Sequence, residues 1–246
     1  MRNFYSGTSN LVLPVPNKTF FPEAFRDRTR LSYYASLFNS VEINASFYKM
    51  PRAKTVLKWS GEVPDDFVFS FKLNKTVTHT LQGAFDVQPI PAFMDAIGVT
   101  TKRGCLLIQL PPKFRPDLFQ LPALLTVLKP YGWRIAVEFR QPDWYTDDVF
   151  ELLNSFDAAL VLHDLRKSTT PQVFTANHTY IRFHGPEDGY RGSYTADYLE
   201  EYASYIQGWL GEGKSVYAYF NNTLGAAVQD LQNLNRLVSA NYLEFE

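Results

Sequence analysis

The chain has 246 residues, 46% of them hydrophobic and 20% charged, with a net charge of −1. That length fits one α/β barrel or two small domains, and the apolar share argues against wholesale disorder. The near-neutral charge gives no general attraction to nucleic acid or to anionic membrane surfaces. The single cysteine, Cys105, excludes an internal disulfide framework and any multi-cysteine metal site. It starts an apolar run, which favours a buried, inert thiol.

The opening residues hold no apolar segment of signal-peptide length, and Pro14 and Pro16 break the next apolar stretch. Leu121–Leu128 is too short to cross a bilayer. A soluble cytoplasmic protein with no membrane partner is therefore expected. Asn44-Ala45-Ser46 and Asn221-Asn222-Thr223 match glycosylation sequons, which in that setting are read as chance.

In chain order, a short strand over Asn3–Ser6 runs into Gly7-Thr8-Ser9, and a proline-interrupted loop follows. Leu31, Tyr34, Ala35 and Phe38 mark one face of a helix over 29–38. A second strand covers Val41–Asn44, and Pro51 can open a helix reaching about Ser60. The third strand is Phe67–Lys72, and Asn74–Gln88 reads as a polar loop carrying His79. A helix near 92–98 leads to strand four, Gly104–Leu110, which stops at Pro111-Pro112. A helix over 117–129 returns to strand five, Arg134–Arg140. The next helix starts at Asp143-Trp144, with Asp147 and Asp148 in its opening turns. Strands six and seven, Ala158–Asp164 and Tyr180–His184, have no obvious helix between them. A helix over 195–210, strand eight at Val216–Asn221 and a helix over 226–237 complete the chain.

Eight strands alternating with helices favour parallel pairing and right-handed crossovers. The strand count and length favour an α/β fold of the closed (β/α)₈ TIM type, with the helix between strands six and seven weak or missing. No domain boundary is visible, so residues 1–246 are expected to form one domain. No dinucleotide fingerprint and no Walker A loop supports an open doubly wound sheet, and no nucleotide cofactor motif is present.

Strand parity then locates a site. Val41, Ile43, Phe69, Phe71, Leu106, Ile108, Val137, Phe139, Ile181, Phe183, Ala218 and Phe220 share the side that helices would cover. The opposite parity ends in Glu42 and Asn44, Lys72, Gln109, Glu138 and Arg140, Arg182 and His184, and Asn221. In barrels of this type the C-terminal mouth of the interior holds the reactive groups. Strand six resists the rule, because His163 and Asp164 are adjacent and point oppositely; Asp164 is preferred for the mouth.

Each candidate has a plainer reading. Glu138 and Arg140 are either an acid/base group with its anion holder or a buried ion pair plugging the barrel. His184, beside Arg182 and ahead of Gly185-Pro186, is either a proton carrier or a satisfied structural histidine. His79 is either a lid residue or merely solvated. His163 and His178 read as structural or surface groups. Phe47, Tyr48, Trp144, Tyr190 and Tyr194 either line a pocket or cover the mouth.

Metal chemistry stays open. No local zinc, EF-hand or nucleophile-elbow pattern occurs. A divalent ion held by Glu42, Glu138, Asp164 and a histidine would leave no spacing signature, while Arg140, Arg182 and Lys72 suit a phosphate or carboxylate better.

Gly7-Thr8-Ser9, Tyr33-Tyr34, Val41-Glu42-Ile43-Asn44-Ala45-Ser46-Phe47-Tyr48, Phe71-Lys72, Thr78-His79, Gln109-Leu110-Pro111-Pro112, Val137-Glu138-Phe139-Arg140, Trp144, Asp164, Arg182-Phe183-His184-Gly185, Tyr194 and Tyr219-Phe220-Asn221-Asn222 form an ordered series. In it the chain resembles the YecE-like proteins, grouped as domain of unknown function 72. The resemblance spans nearly the whole sequence and implies a (β/α)₈-type barrel in a bacterial or archaeal cytoplasmic protein, without implying a reaction. Two departures stand out. The family continues Gly-Thr-Ser with Gly-Trp and an aromatic-rich segment, where this chain has Asn10-Leu11-Val12-Leu13-Pro14. It also shows His-Pro-Ser-Trp where Gln141-Pro142-Asp143-Trp144 stands here. Neither a wall built by that first segment nor a role for that histidine carries over.

The expected function is an enzyme doing acid/base chemistry on a small polar anionic substrate, such as a phosphorylated sugar or nucleotide fragment. Glu138 and His184 share the proton work, with Asp164 and Glu42 as further candidates. Arg140, Arg182 and Lys72 hold the anion, and Asn44, Gln109 and Asn221 orient hydroxyls. His79, Tyr194 and Trp144 contribute binding surface. The alternatives are a divalent-metal phosphoesterase or sugar isomerase, and a non-catalytic barrel holding a ligand or, less favoured by the charge, nucleic acid. Oligomeric state has no sequence signal.

Overall fold

Each of the eight expected strands forms in the computed structural model, which describes residues 3–80, 83–166 and 168–242. They are β1 Phe4–Thr8, β2 Ser40–Ile43, β3 Val68–Lys72 and β4 Arg103–Gln109. They continue as β5 Arg134–Glu138, β6 Ala158–His163, β7 His178–Phe183 and β8 Ser215–Phe220. Hydrogen-bonded neighbours are parallel and run β1-β8-β7-β6-β5-β4-β3-β2, so the sheet curls until β1 and β2 meet. The result is an α/β TIM-like barrel.

The surrounding helices are α1 Arg30–Ala35, α2 Ala45–Tyr48, α3 Ala53–Gly61, α4 Lys75–Thr78 and α5 Ile90–Gly98. They continue as α6 Gln120–Leu128, α7 Asp147–Ser155, α8 Ala196–Gly211 and α9 Ala227–Tyr242. The described residues between β6 and β7 form no helix. Several bounds differ from those read in the sequence. β1 continues to Thr8 because Gly7 and Thr8 pair with Tyr219 and Phe220. The polar loop after β3 opens with α4, whose first turn is capped by the Asn74 side chain accepting from the Thr76 amide; Leu81 and Gln82 of that loop lie outside the described residues. α7 starts at Asp147, not Asp143, because Pro142–Trp144 makes a separate tight turn. α9 runs on to Tyr242.

The parity rule holds in three dimensions. Phe69, Phe71, Leu106, Ile108, Val137, Phe139, Ile181, Phe183, Ala218 and Phe220 pack in the layer shared with the helices. A second cluster fills the barrel: Cys105, Leu107, Ala136, Ala159, Val161, Tyr180, Tyr217 and Tyr219. Strands β7 and β8 supply bulky tyrosines and the facing strands supply small residues, so large meets small. The tyrosine hydroxyls need partners inside the barrel. Tyr219 finds Ser40 at 2.5 Å and Ser70 at 2.8 Å, and Tyr217 accepts from Arg134 at 2.7 Å.

At the β1/β2 seam, side chains replace most of the ladder. The Tyr34 hydroxyl accepts from the Thr8 amide at 2.7 Å and donates to the Ser40 carbonyl at 3.1 Å. Asn39 accepts from the Ser6 amide at 2.9 Å and donates to the Phe4 carbonyl at 2.8 Å. A Cβ at Gly7 would lie 2.0 Å from the Ser40 carbonyl oxygen, so only glycine lets the edges approach. At the C-terminal end a backbone bond from Asn10 to the Glu42 carbonyl, 2.8 Å, closes the seam beneath the mouth.

Candidate active site at the C-terminal mouth

Strand ends β2, β5 and β7 build the charged centre. Glu42, Glu138, Arg182 and His184 are each no more than 1% exposed. Arg182 is the strut. Its Nε and Nη2 donate to the two oxygens of Glu42 at 2.9 and 2.7 Å, and its Nη1 donates to Glu138 Oε2 at 2.5 Å. Glu42 also accepts from Ser9 at 2.6 Å and from the Tyr180 hydroxyl at 2.7 Å, so both its oxygens are fully engaged. Burial pushes the Glu42 carboxyl upward, but the Arg182 charge and these hydrogen bonds outweigh it and hold the pKa below the usual range. Every oxygen of Glu42 and every guanidinium nitrogen of Arg182 is thus engaged within this network.

Glu138 is different. One oxygen goes to Arg182, and the other, Oε1, has Arg140 Nη2 at 2.5 Å and His184 Nε2 at 3.4 Å. Neither contact has hydrogen-bond alignment, so Oε1 is left without a hydrogen bond. Burial raises the Glu138 pKa, and Arg140 and Arg182 together drive it well below the carboxylate range. His184 Nδ1 lies 2.9 Å from the Asn221 amide nitrogen. Accepting there puts the ring proton on Nε2, facing Glu138. Burial, opposed by Glu138, lowers the His184 pKa to about 3, so the ring is neutral at pH 7.

A second half of the mouth lies over β3 and β4. Lys72 Nζ donates to Gln109 Oε1 at 2.6 Å and sits 4.0 Å from the centre of the Phe47 ring. The Gln109 amide is spent, since its nitrogen donates to the Leu110 carbonyl at 2.9 Å. His79 packs edge-on against Phe47 at 4.9 Å, and burial with Lys72 and Lys75 nearby lowers its pKa to about 4. Asn44 follows β2, and its buried Oδ1 has no hydrogen-bond partner among the described residues.

On the other side, Asp164 lies just past β6 and accepts from the His184 amide at 2.8 Å and from the Tyr194 hydroxyl. Burial raises its pKa. Tyr194 in turn accepts from the Gly185 amide at 2.6 Å. Gly185 has φ +103°, and a Cβ there would meet the Arg191 carbonyl at 2.2 Å. The hairpin it permits lays Tyr190 over His184, with ring centres 5.5 Å apart.

Two placements depart from expectation. Trp144 does not reach the mouth; it is fully buried on the helix side, stacked on Phe139 at 4.5 Å with its indole donating to the Phe114 carbonyl at 3.0 Å. His163 takes the interior parity that was denied it. Its Nε2 donates to the Phe139 carbonyl at 2.9 Å and fixes the peptide between Glu138 and Arg140. The sequence signal for it was the parity count itself, set aside because Asp164 stood next to it.

The donor set does not favour the alternative of a divalent metal held by Glu42, Glu138, Asp164 and a histidine. Among the described residues no three of His, Cys, Asp and Glu gather into a metal-holding group. Glu42 and one oxygen of Glu138 are committed to a guanidinium. No helix among the described residues is long and apolar enough to cross a membrane.

The model for "Protein of unknown function DUF72" matches residues 5–245. The chain belongs to the DUF72 family. Its similar DUF72 relatives include the UPF0759 protein YunF of Bacillus subtilis, 26% identical over 86% of this chain and 87% of that protein. The UPF0759 protein YecE of Escherichia coli is 33% identical over 48% of this chain and 43% of its own length. Among solved structures, a DUF72 protein from Enterococcus faecalis superposes with a TM-score of 0.78 at 19% identity, covering 96% of this chain and 95% of that one. One from Thermotoga maritima gives 0.72 at 22% identity, covering 96% and 99%. These structural matches bear on the DUF72 fold alone.

Proposed function

We propose that the C-terminal mouth is an active site for acid/base chemistry on a small polar anionic substrate, of the class of a phosphorylated sugar or nucleotide fragment. One observation carries the reading. Asn44 Oδ1 and Arg140 Nε are buried at this mouth without a hydrogen-bond partner among the described residues, and beside them Glu138 Oε1 and His184 Nε2 face each other at 3.4 Å without good hydrogen-bond alignment. Leaving a buried polar atom unpaired costs about 1–3 kcal/mol, so under-satisfied atoms gathered at one mouth favour an occupant that completes them.

The roles follow from protonation. Glu138 Oε1 is ionised and lacks a well-aligned hydrogen bond among the described residues, so it can accept one from a substrate hydroxyl. His184 Nε2–H, neutral, is the facing donor. Arg140 and Lys72 hold the anion, because Arg182 is already consumed by two carboxylates. Asn44 orients the substrate, whereas Gln109 and Asn221 orient Lys72 and His184. Asp164 and Tyr194 hold the His184 backbone and the loop after it. Phe47, His79 and Tyr190 cover the opening.

The test is a panel of sugar phosphates and nucleotide fragments incubated with the protein, with substrate loss followed by mass spectrometry. Consumption of one compound by the wild type and not by Glu138→Gln is expected. Binding without consumption across the panel would replace this reading with that of a ligand-holding barrel.

A further inference from the structure

We propose that Lys72 is a covalent residue of this mouth, its amine condensing with the carbonyl carbon of a small anionic aldehyde or ketone to form an imine. The inference rests on the site proposed above and narrows its substrate class. Three cations enter the mouth, and they are treated differently. Arg182 is locked by Glu42 and Glu138, and Arg140 is paired with Glu138 through one nitrogen only. Lys72 has no carboxylate within ion-pair distance among the described residues; its partners are a neutral amide oxygen at 2.6 Å and the face of Phe47 at 4.0 Å. Gln109 accepts a hydrogen bond from either form of the amine and so does not hold the proton on nitrogen.

The side chain is 8% exposed at the end of β3, which disfavours the ammonium form. The charged groups around it are Glu42 from β2, Glu138 and Arg140 from β5 and the following loop, Arg182 from β7, and the neutral His79 after α4. Burial first, with Arg182 second, brings its pKa down to about 8, so near neutral pH a useful fraction is the nucleophilic amine.

The Nζ lone pair forms the C–N bond as the carbonyl π pair moves to oxygen. That oxygen takes one proton from the amine itself and one from solvent, then leaves as water. The C=N bond that remains carries one positive charge, close to Glu42 and Glu138. The acid group of the substrate would rest on Arg140, whose Nε has no hydrogen-bond partner among the described residues.

Glyoxylate, a minimal anionic aldehyde, with cyanoborohydride, which reduces C=N to a stable secondary amine, tests this. Peptide mapping is expected to find the adduct concentrated on Lys72 rather than on exposed lysines, with a labelling rate that climbs through a midpoint near pH 8. Lys72→Arg, which keeps the charge, should lose that adduct; Lys72→Met serves if the arginine does not fit. Label spread over the lysines by exposure, with Lys72 least modified, overturns the proposal. Calorimetry without the reductant separates the two readings. Glyoxylate bound equally by wild type and Lys72→Arg, with no adduct, removes the imine and leaves the anion site standing. Neither binding nor adduct removes the imine and counts against the site as well.

Discussion

Oε1 of Glu138 and Nε2 of His184 face each other at 3.4 Å inside the barrel, and neither makes a hydrogen bond among the described residues. An ionised carboxylate and a neutral imidazole are held there in contact but just short of a well-aligned bond.

Replacing Glu138 with Gln keeps the shape and removes the charge. Arg182 would keep Glu42, while Arg140 would lose its one carboxylate partner among the described residues, and breaking a buried pair in this way costs about 3–5 kcal/mol. Turnover should fall by about two to four orders of magnitude, the usual worth of a positioned proton acceptor. Adding Arg140→Met removes the stranded cation, so the double variant should regain part of the lost stability and none of the turnover. Denaturant midpoints alongside substrate consumption check both halves; a double variant no more stable than the single one would count against the pairing.

Acid should unfold this protein early. Burial holds His184 near 3 and both His79 and His178 near 4, against an ordinary 6.5. Between those values the unfolded chain binds more protons than the folded one, so stability rises with pH there. It is complete above about 6.5 and drains away as pH falls toward 4. Glu42 and Glu138, both depressed, add to the loss below 4.5, while Asp164, raised, works the other way. Urea titrations at pH 7 and 5 should show a lower midpoint at pH 5, with net proton uptake on unfolding. An unchanged or higher midpoint at pH 5 would mean these histidines are not held neutral.

The seam makes a separate prediction. Tyr34→Phe strips the hydroxyl shared by the Thr8 amide and the Ser40 carbonyl, leaving a buried donor and acceptor unpaired, at about 1–3 kcal/mol. Gly7→Ala should be worse, since its Cβ would force the Ser40 carbonyl aside. Hydrogen exchange at the Thr8 amide, slow in the wild type, should quicken in Tyr34→Phe; an unaltered rate would mean that β1 and β2 pair without the tyrosine.

Much of this was legible in the sequence because strand parity is a covalent fact. Once the chain alternates, Glu42, Lys72, Gln109, Glu138, Arg182 and His184 must share an interior, and the fold places them there. What parity cannot give is partner choice. That Arg182 takes both oxygens of Glu42 and one of Glu138, leaving Lys72 to an amide, depends on the stagger between strands far apart in the chain. Trp144 was misplaced for a related reason: a tight turn at Pro142 swings it back onto Phe139 instead of forward over the mouth. The seam was invisible too, since a hydroxyl from α1 standing in for a ladder bond has no local pattern.

The most direct test of the mouth as a ligand site is native mass spectrometry of the protein after incubation with a bacterial metabolite extract, comparing wild type with Arg140→Met. One phosphorylated or carboxylated small molecule, retained by the wild type and lost from the variant, is the expected result. No retained molecule, or equal retention by both proteins, would contradict it.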